Sequence, residues 1–233
     1  VLRGHFPEEA IFRIDHFLGK EPVQNITYTR FANPLLEPIW NREHIEHVRV
    51  AWKEDLGIGS RGGYFDGIGI LRDVMQNHLL QILALVAMEE PAAMDSKSVR
   101  DGKVQVLRAT APLALEHLVV GQYRGVTRKG IRLPSYAEEP HVAPNSITPT
   151  FAAAVLRVRN DRWGGVPFYL SAGKALDGRV NEIRVRFRDP PRNLFAAAMP
   201  DLPNNELVIR IQPEEAIFYR IVNKAPGLKL SLV

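Results

Sequence analysis

The chain contains no cysteine. That excludes disulfides, thiolate metal sites and cysteine nucleophiles, and it fits a reducing compartment. Long apolar runs are missing too. The longest, around Leu79 to Met88, is interrupted by Gln81 and falls short of the roughly 18 apolar residues a membrane span needs, so no membrane partner is expected. Nor is there a run of Lys or Arg. The formal net charge of +4 is spread along the chain, whereas nucleic-acid binders concentrate charge on one face. A mild cationic balance suits an anionic small molecule. No internal repeat or low-complexity tract is visible, and no signal peptide is expected from the opening residues. The glycine loop Gly57-Ile58-Gly59-Ser60-Arg61-Gly62-Gly63 lacks both the dinucleotide spacing and the Gly-Lys-Ser/Thr of a P-loop. There is no Gly-x-Ser-x-Gly elbow and no zinc-type His pair.

What is present reads as an ordinary globular chain: 233 residues, 45% hydrophobic and 24% charged, enough to bury a large core. The first part is mainly helical. Pro22 suits the first turn of a helix that continues toward Trp40. His47 to Trp52 alternates as a strand does. From Arg72 to Glu89, apolar residues recur at three- and four-residue steps, which predicts a helix stopped by Pro91. A shorter helix is expected over Val99 to Arg108. After residue 118 the texture changes to short strands: Val119 to Tyr123, Phe151 to Val158, Val166 to Leu170, Glu182 to Phe187, Glu206 to Gln212 and Ala216 to Val222. Gly125 to Pro149 is polar and bears Pro and Gly, as a long surface connection does. Helices followed by strands predict an α+β fold with a large, mostly antiparallel sheet. Residues 1–117 are expected to be mainly helical and 118–233 mainly sheet. The non-Met start at Val1 and the end inside the apolar run Leu228 to Val233 suggest a domain truncated at both ends.

Several residues could carry chemistry. In Arg13-Ile14-Asp15-His16-Phe17-Leu18-Gly19-Lys20-Glu21, His16 and Lys20 are four apart and would share one helical face, where cations can converge on a phosphate. A capped, solvated helix start explains the same residues. His78 flanks the apolar helix. Imidazole is the usual general base near neutral pH when a carboxylate orients it. Asp73 lies about 140° around an α-helix from His78, so an orienting carboxylate must come from elsewhere. A buried, hydrogen-bonded core histidine is the alternative reading. Lys174 and Arg179 straddle a Gly-Asp turn. Arg210 and Gln212 share one face of a strand.

These segments together resemble the glucose-6-phosphate dehydrogenase family. Arg13 to Glu21 is similar to its RIDHYLGKE signature, with Phe17 in place of tyrosine. Arg61-Gly62-Gly63-Tyr64-Phe65-Asp66, the run Ile70 to Leu80 (ILRDVMQNHLL), Trp163 to Leu176 (WGGVPFYLSAGKAL) and Asn205 to Pro213 (NELVIRIQP) resemble other family motifs. The match covers nearly the whole chain in order. The wording of Leu79 to Met88 and Ile147 to Ala154 is most similar to plant and algal plastid-type members.

The resemblance implies oxidation of glucose 6-phosphate to 6-phosphogluconolactone, with hydride passing to NADP. It implies that His78 is the base, Asp15 its orienting carboxylate, and His16 and Lys20 the phosphate ligands. Phe17 would sit at the phosphate without the phenol that usually donates there. Glu54 and Asp73 would accept from sugar hydroxyls, which suits the chemistry because hydroxyls are donors. Lys174, Arg179 and Gln212 would complete the pocket. Arg184, Arg210 and Arg220 match the cationic part of a second, structural NADP site, although Val180, Ser171 and Phe218 replace polar or charged residues there. No metal is implied. The family's Rossmann domain, with its coenzyme loop and an EKPFG lysine, is expected to be absent, so isolated turnover is not expected. A homodimer or homotetramer through the sheet, in cytoplasm or plastid stroma, is the implied setting. The alternatives are a hexose-6-phosphate dehydrogenase, or a non-catalytic sugar-phosphate-binding or dimerisation module.

Overall fold

The computed structural model describes residues 4–7, 10–128, 130–195 and 202–227. The apolar run Leu228 to Val233 lies outside them.

A seven-stranded sheet organises the molecule, in the order β2-β5-β6-β1-β7-β8-β9. The strands are β1 (Ile45–Lys53), β2 (Leu118–Gly121), β5 (Phe151–Arg157), β6 (Pro167–Gly173), β7 (Val180–Phe187), β8 (Glu206–Gln212) and β9 (Ala216–Arg220). A separate small hairpin is formed by β3 (Val126–Arg128) and β4 (Ile131–Leu133). Among the described residues of the large sheet only β1 and β6 pair in parallel. The expected α+β class with a mostly antiparallel sheet is what forms. Its centre, however, is β1, which comes from the otherwise helical first part of the chain. Alternation explains how the sheet takes its helices. Ala154, Leu170, Val50, Ile183 and Ile209 stand side by side across five strands, all buried on one face. Their neighbours in the next row, Ala153, Ser171, Ala51, Glu182 and Arg210, point the other way.

The helices α1 (Glu21–Phe31), α2 (Gly62–Phe65), α3 (Leu80–Ala87) and α4 (Ser96–Ala109) accompany this sheet. Pro22 is in the first turn of α1, but that helix ends at Phe31 instead of running toward Trp40. A short 3-10 turn at Glu37–Ile39 follows. Asp95 caps α4, its carboxylate accepting the Ser98 N–H at 2.7 Å, and the helix is longer at both ends than the spacing predicts. The long predicted helix after Arg72 is two structures. Leu71–Leu79 is π-helical and α3 continues it.

The last turn of α3 is fully buried, so its orphan carbonyls need donors. Three side chains supply them. Trp40 Nε1 donates to Val86 and Trp163 Nε1 to Ala87, each at 2.8 Å. The Arg30 guanidinium donates to Leu85, Val86 and Met88 at 3.2, 3.0 and 2.7 Å. Burial lowers the pKa of Arg30 to about 10, with Glu37 opposing the shift, so it remains charged at neutral pH.

The glycine loop is explained by close packing. A Cβ on Gly57 would lie 2.5 Å from Glu139 Oε1, and one on Gly62 would lie 2.1 Å from the Pro140 carbonyl oxygen. Only glycine lets the 134–150 connection lie this close. That connection is pinned by Asp66, which accepts from Tyr136 Oη at 2.8 Å and from Ser146 Oγ, while its backbone carbonyl accepts from Thr148 Oγ1 at 2.7 Å. Tyr136 is fully buried, so the predicted surface connection includes a core residue as well as the small hairpin.

Arg30→Met should therefore destabilise the fold by about 2–4 kcal/mol, since buried carbonyls lose a charged donor. Thermal melts should show a drop of roughly 5–15 °C. A pH test applies to Asp66. The Ser146 hydroxyl, and then the Tyr136 hydroxyl against an opposing burial effect, hold its carboxyl below the ordinary 3.8. A depressed folded value gives stability that is full above the unfolded value and lost as pH falls below it. Melting temperature should fall more steeply between about pH 5 and pH 3 for the wild type than for Asp66→Asn. Parallel slopes would contradict this.

Candidate active site

The ends of three elements meet where the sheet, the 3-10 turn His16–Gly19 and the π-helix converge. Asp15 caps the 3-10 turn, its Oδ1 accepting the Phe17 N–H at 2.9 Å. The same oxygen lies 2.7 Å from His78 Nδ1. A carboxylate only accepts, so Nδ1 carries a proton, and in the neutral imidazole Nε2 then holds the lone pair. Both side chains are mostly enclosed, 12% and 13% exposed.

Aromatic rings hold the imidazole plane. Phe17 stacks on Trp52 with centroids 4.2 Å apart, and His78 lies 4.9 Å from Phe17 and 5.3 Å from Trp52, close to parallel with both. His16 meets His78 edge-on at 4.7 Å. Aromatic contacts of this kind add about 0.5–1.5 kcal/mol each beyond burial. Phe17 is 2% exposed. Its ring lies in the core, against Trp52 and His78.

His16 is exposed and Lys20 half-buried, with the Lys20 ammonium 5.2 Å from the Phe17 ring. His16 and Lys20 each approach the Phe17 ring, at 5.0 and 5.2 Å, and they do not share the helical face first expected. His16 is in the 3-10 turn, and Lys20 has extended backbone between that turn and α1.

A second cluster sits at the ends of β1 and β6. Lys174 follows β6, is 5% exposed, and its ammonium meets Glu54 Oε2 at 2.6 Å and Asp73 Oδ2 at 4.0 Å. Arg61 approaches Asp73 at 3.9 Å. This group offers both an ammonium donor and carboxylate acceptors, as sugar hydroxyls require. Gln212 lies further along the sheet, its Oε1 accepting from Asn181 Nδ2 at 3.0 Å. Arg179 is exposed, beyond the turn that Lys53 closes by an ion pair with Asp177 at 2.6 Å. A hollow of about 550 Å³ lies elsewhere, lined by Ile39, His44, Phe187 and Tyr219 among others. It contains none of the residues assigned to the sugar phosphate.

Asp15, His16 and His78 also offer ligand atoms within 4.8 Å of one another. They are close enough to hold a metal ion, although the Asp15–His78 hydrogen bond already satisfies two of the three.

Residues 27–233 match the family model described as glucose-6-phosphate dehydrogenase, C-terminal domain. The chain belongs to the glucose-6-phosphate dehydrogenase family. Residues 1–25 match the family's NAD binding domain model. The chain is 53% identical to glucose-6-phosphate 1-dehydrogenase 1, chloroplastic, of Arabidopsis thaliana over 99% of its own length and 41% of that protein. It is 49% identical to the cytoplasmic isoform of Solanum tuberosum, covering 42% of that protein. A solved structure described as glucose-6-phosphate dehydrogenase in complex with its substrate glucose-6-phosphate superposes with a TM-score of 0.91 at 48% identity, over the whole of this chain and 47% of the other. The Mycobacterium avium enzyme gives 0.87 at 40% identity. The chain thus spans less than half the length of these glucose-6-phosphate dehydrogenases.

The family resemblance also pointed to a structural NADP site on the open sheet face. There Arg184 is held by Glu182 at 2.6 Å and Glu206 at 3.0 Å. Hydrogen bonding to Glu182, against burial, raises its pKa. Arg220 is 3.7 Å from Glu206, and Arg210 lies over the Phe218 ring. Arg184 is therefore already paired with two carboxylates, while Arg210 has an aromatic neighbour and Arg220 is paired only loosely. Sequence reasoning missed Trp52, Arg61 and Asn77. Trp52 stood in an alternating strand two residues before Glu54, which was the available signal.

Proposed function

We propose that this chain forms the glucose 6-phosphate half of a glucose-6-phosphate dehydrogenase active site. The reaction oxidises C1 of glucose 6-phosphate to the lactone, and the hydride goes to a nicotinamide coenzyme, NADP. The observation that carries this reading is the 2.7 Å contact between His78 Nδ1 and Asp15, which leaves Nε2 as a positioned acceptor. His78 takes the C1 hydroxyl proton as hydride departs, and Asp15 orients it and balances the imidazolium that forms. His16 and Lys20 hold the phosphate, because a dianion is matched by charged donors on an open rim. Glu54 and Asp73 accept from hydroxyls, and Lys174, 2.6 Å from Glu54 and 4.0 Å from Asp73, supplies a donor. Arg179 and Gln212 extend the pocket outward. The sugar bound in the 48%-identical solved relative supports this choice of substrate.

NADP as the preferred coenzyme, a homodimer or homotetramer through the open sheet face, and a plastid or cytoplasmic setting belong to the same reading. Chloroplastic and cytoplasmic relatives both support the last of these. Among the described residues no helix is long and apolar enough to cross a membrane.

Calorimetric titration of glucose 6-phosphate into the folded chain tests the proposal. Saturating heat is expected, with affinity at least tenfold weaker in a His16→Ala plus Lys20→Ala double variant. Each lost charge-assisted contact removes about 1.5–3 kcal/mol. Absence of binding to the folded wild type would overturn a preformed half-site.

A further inference from the structure

Asp73 and His78 are five residues apart. On an α-helix they would diverge by about 140°, and the carboxylate and the base would face different surroundings. The chain instead winds Leu71–Leu79 as a π-helix, whose wider i→i+5 repeat brings residues five apart nearer to one face. Asp73 then reaches Lys174 while His78 reaches Asp15. A π-turn is a rare geometry and needs a local cause.

Asn77 provides one. Its Oδ1 accepts the backbone N–H of His78 at 2.6 Å, and its Nδ2 donates to the backbone carbonyl of Asp73 at 3.1 Å. These are the two groups that an i→i+5 repeat sets opposite each other. One half-buried side-chain amide therefore spans the turn from the sugar carboxylate to the base. The wide register ends immediately afterwards, where the Leu80 N–H is shared between the Met75 and Asn77 carbonyls and α3 begins.

We infer that Asn77 is a positioning residue. Its amide holds the π register of Leu71–Leu79 and so keeps Asp73 and His78 on one wall of the cleft. The inference rests on the proposed sugar-phosphate site for its functional meaning, but not for its structural content. Removing the amide lets the segment relax toward the α register, which turns His78 away from Asp15. An aspartate at the same place keeps the acceptor for the His78 N–H and loses the donor to the Asp73 carbonyl. The two variants should therefore fail differently.

The test uses Asn77→Leu and Asn77→Asp. Amide hydrogen exchange at His78 is measured in the folded chain without ligand, and kcat and KM for glucose 6-phosphate in the enzyme that carries it. For Asn77→Leu, exchange at His78 should quicken at least tenfold, kcat should fall at least tenfold and KM should rise. For Asn77→Asp, exchange at His78 should stay near the wild-type rate, and KM should rise by a larger factor than kcat falls. Wild-type exchange and kcat/KM in Asn77→Leu would overturn the inference. If Asn77→Leu does not fold, Asn77→Asp decides alone, and a fall in kcat larger than the rise in KM overturns it. A wild type that neither binds nor oxidises glucose 6-phosphate would overturn the functional reading instead. The exchange arm uses no sugar and still decides the role of Asn77.

Discussion

The imidazole of His78 is constrained on three sides, and most of the surrounding structure serves that constraint. Asp15 fixes one ring nitrogen at 2.7 Å. Phe17 and Trp52 fix the ring plane. The π-helix fixes where the side chain leaves the backbone. A base poised by a carboxylate works only if its geometry is set before the substrate arrives, since reorganisation during reaction adds to the barrier. The three supports come from three separate stretches of sequence, around residues 15–17, 52 and 71–79. None of them can act until the sheet has placed β1 beside the helices.

That placement traces to burial. Strand β1 lies at the middle of the sheet, paired with β6 in parallel and with β7 antiparallel. Its inward residues Val48, Val50 and Trp52 are all buried, and the next residue on that face, Glu54, emerges at the rim to meet Lys174. Helix α3 is anchored at its far end by Arg30, Trp40 and Trp163, so the π-helix that precedes it has a fixed exit. The same Arg30 lies on α1, which starts directly after Lys20. One buried guanidinium thus ties together the helix that follows Lys20 and the helix that follows His78.

The fold class was legible because period-two alternation marked most strands, and β8 agrees residue for residue with its expected range. Strand order was not legible, since nothing in His47 to Trp52 says that it sits between β6 and β7. The π-helix was hidden by its own pattern. Met75, Leu79, Ile82 and Val86 satisfy an α-helical reading, and the wider register shows only in hydrogen bonds. Rejecting Asp73 as the partner of His78 agreed with the structure for a reason that does not hold, because the 140° argument assumes an α-helix. Phe17 was read as lacking a donor at the phosphate, and hydrophobicity accounts for its ring being buried against Trp52 and His78. Lys174 and Glu54 lie 120 residues apart, so their pairing could come only from the fold.

The central claim is that the base is oriented before any ligand binds. Nitrogen-15 NMR of histidine in the unliganded chain, with Asp15→Asn as comparison, tests it most directly. The account predicts that neutral His78 is a single tautomer protonated at Nδ1, and that this preference weakens in Asp15→Asn. A wild-type His78 protonated at Nε2, or an even mixture of the two tautomers, would contradict it.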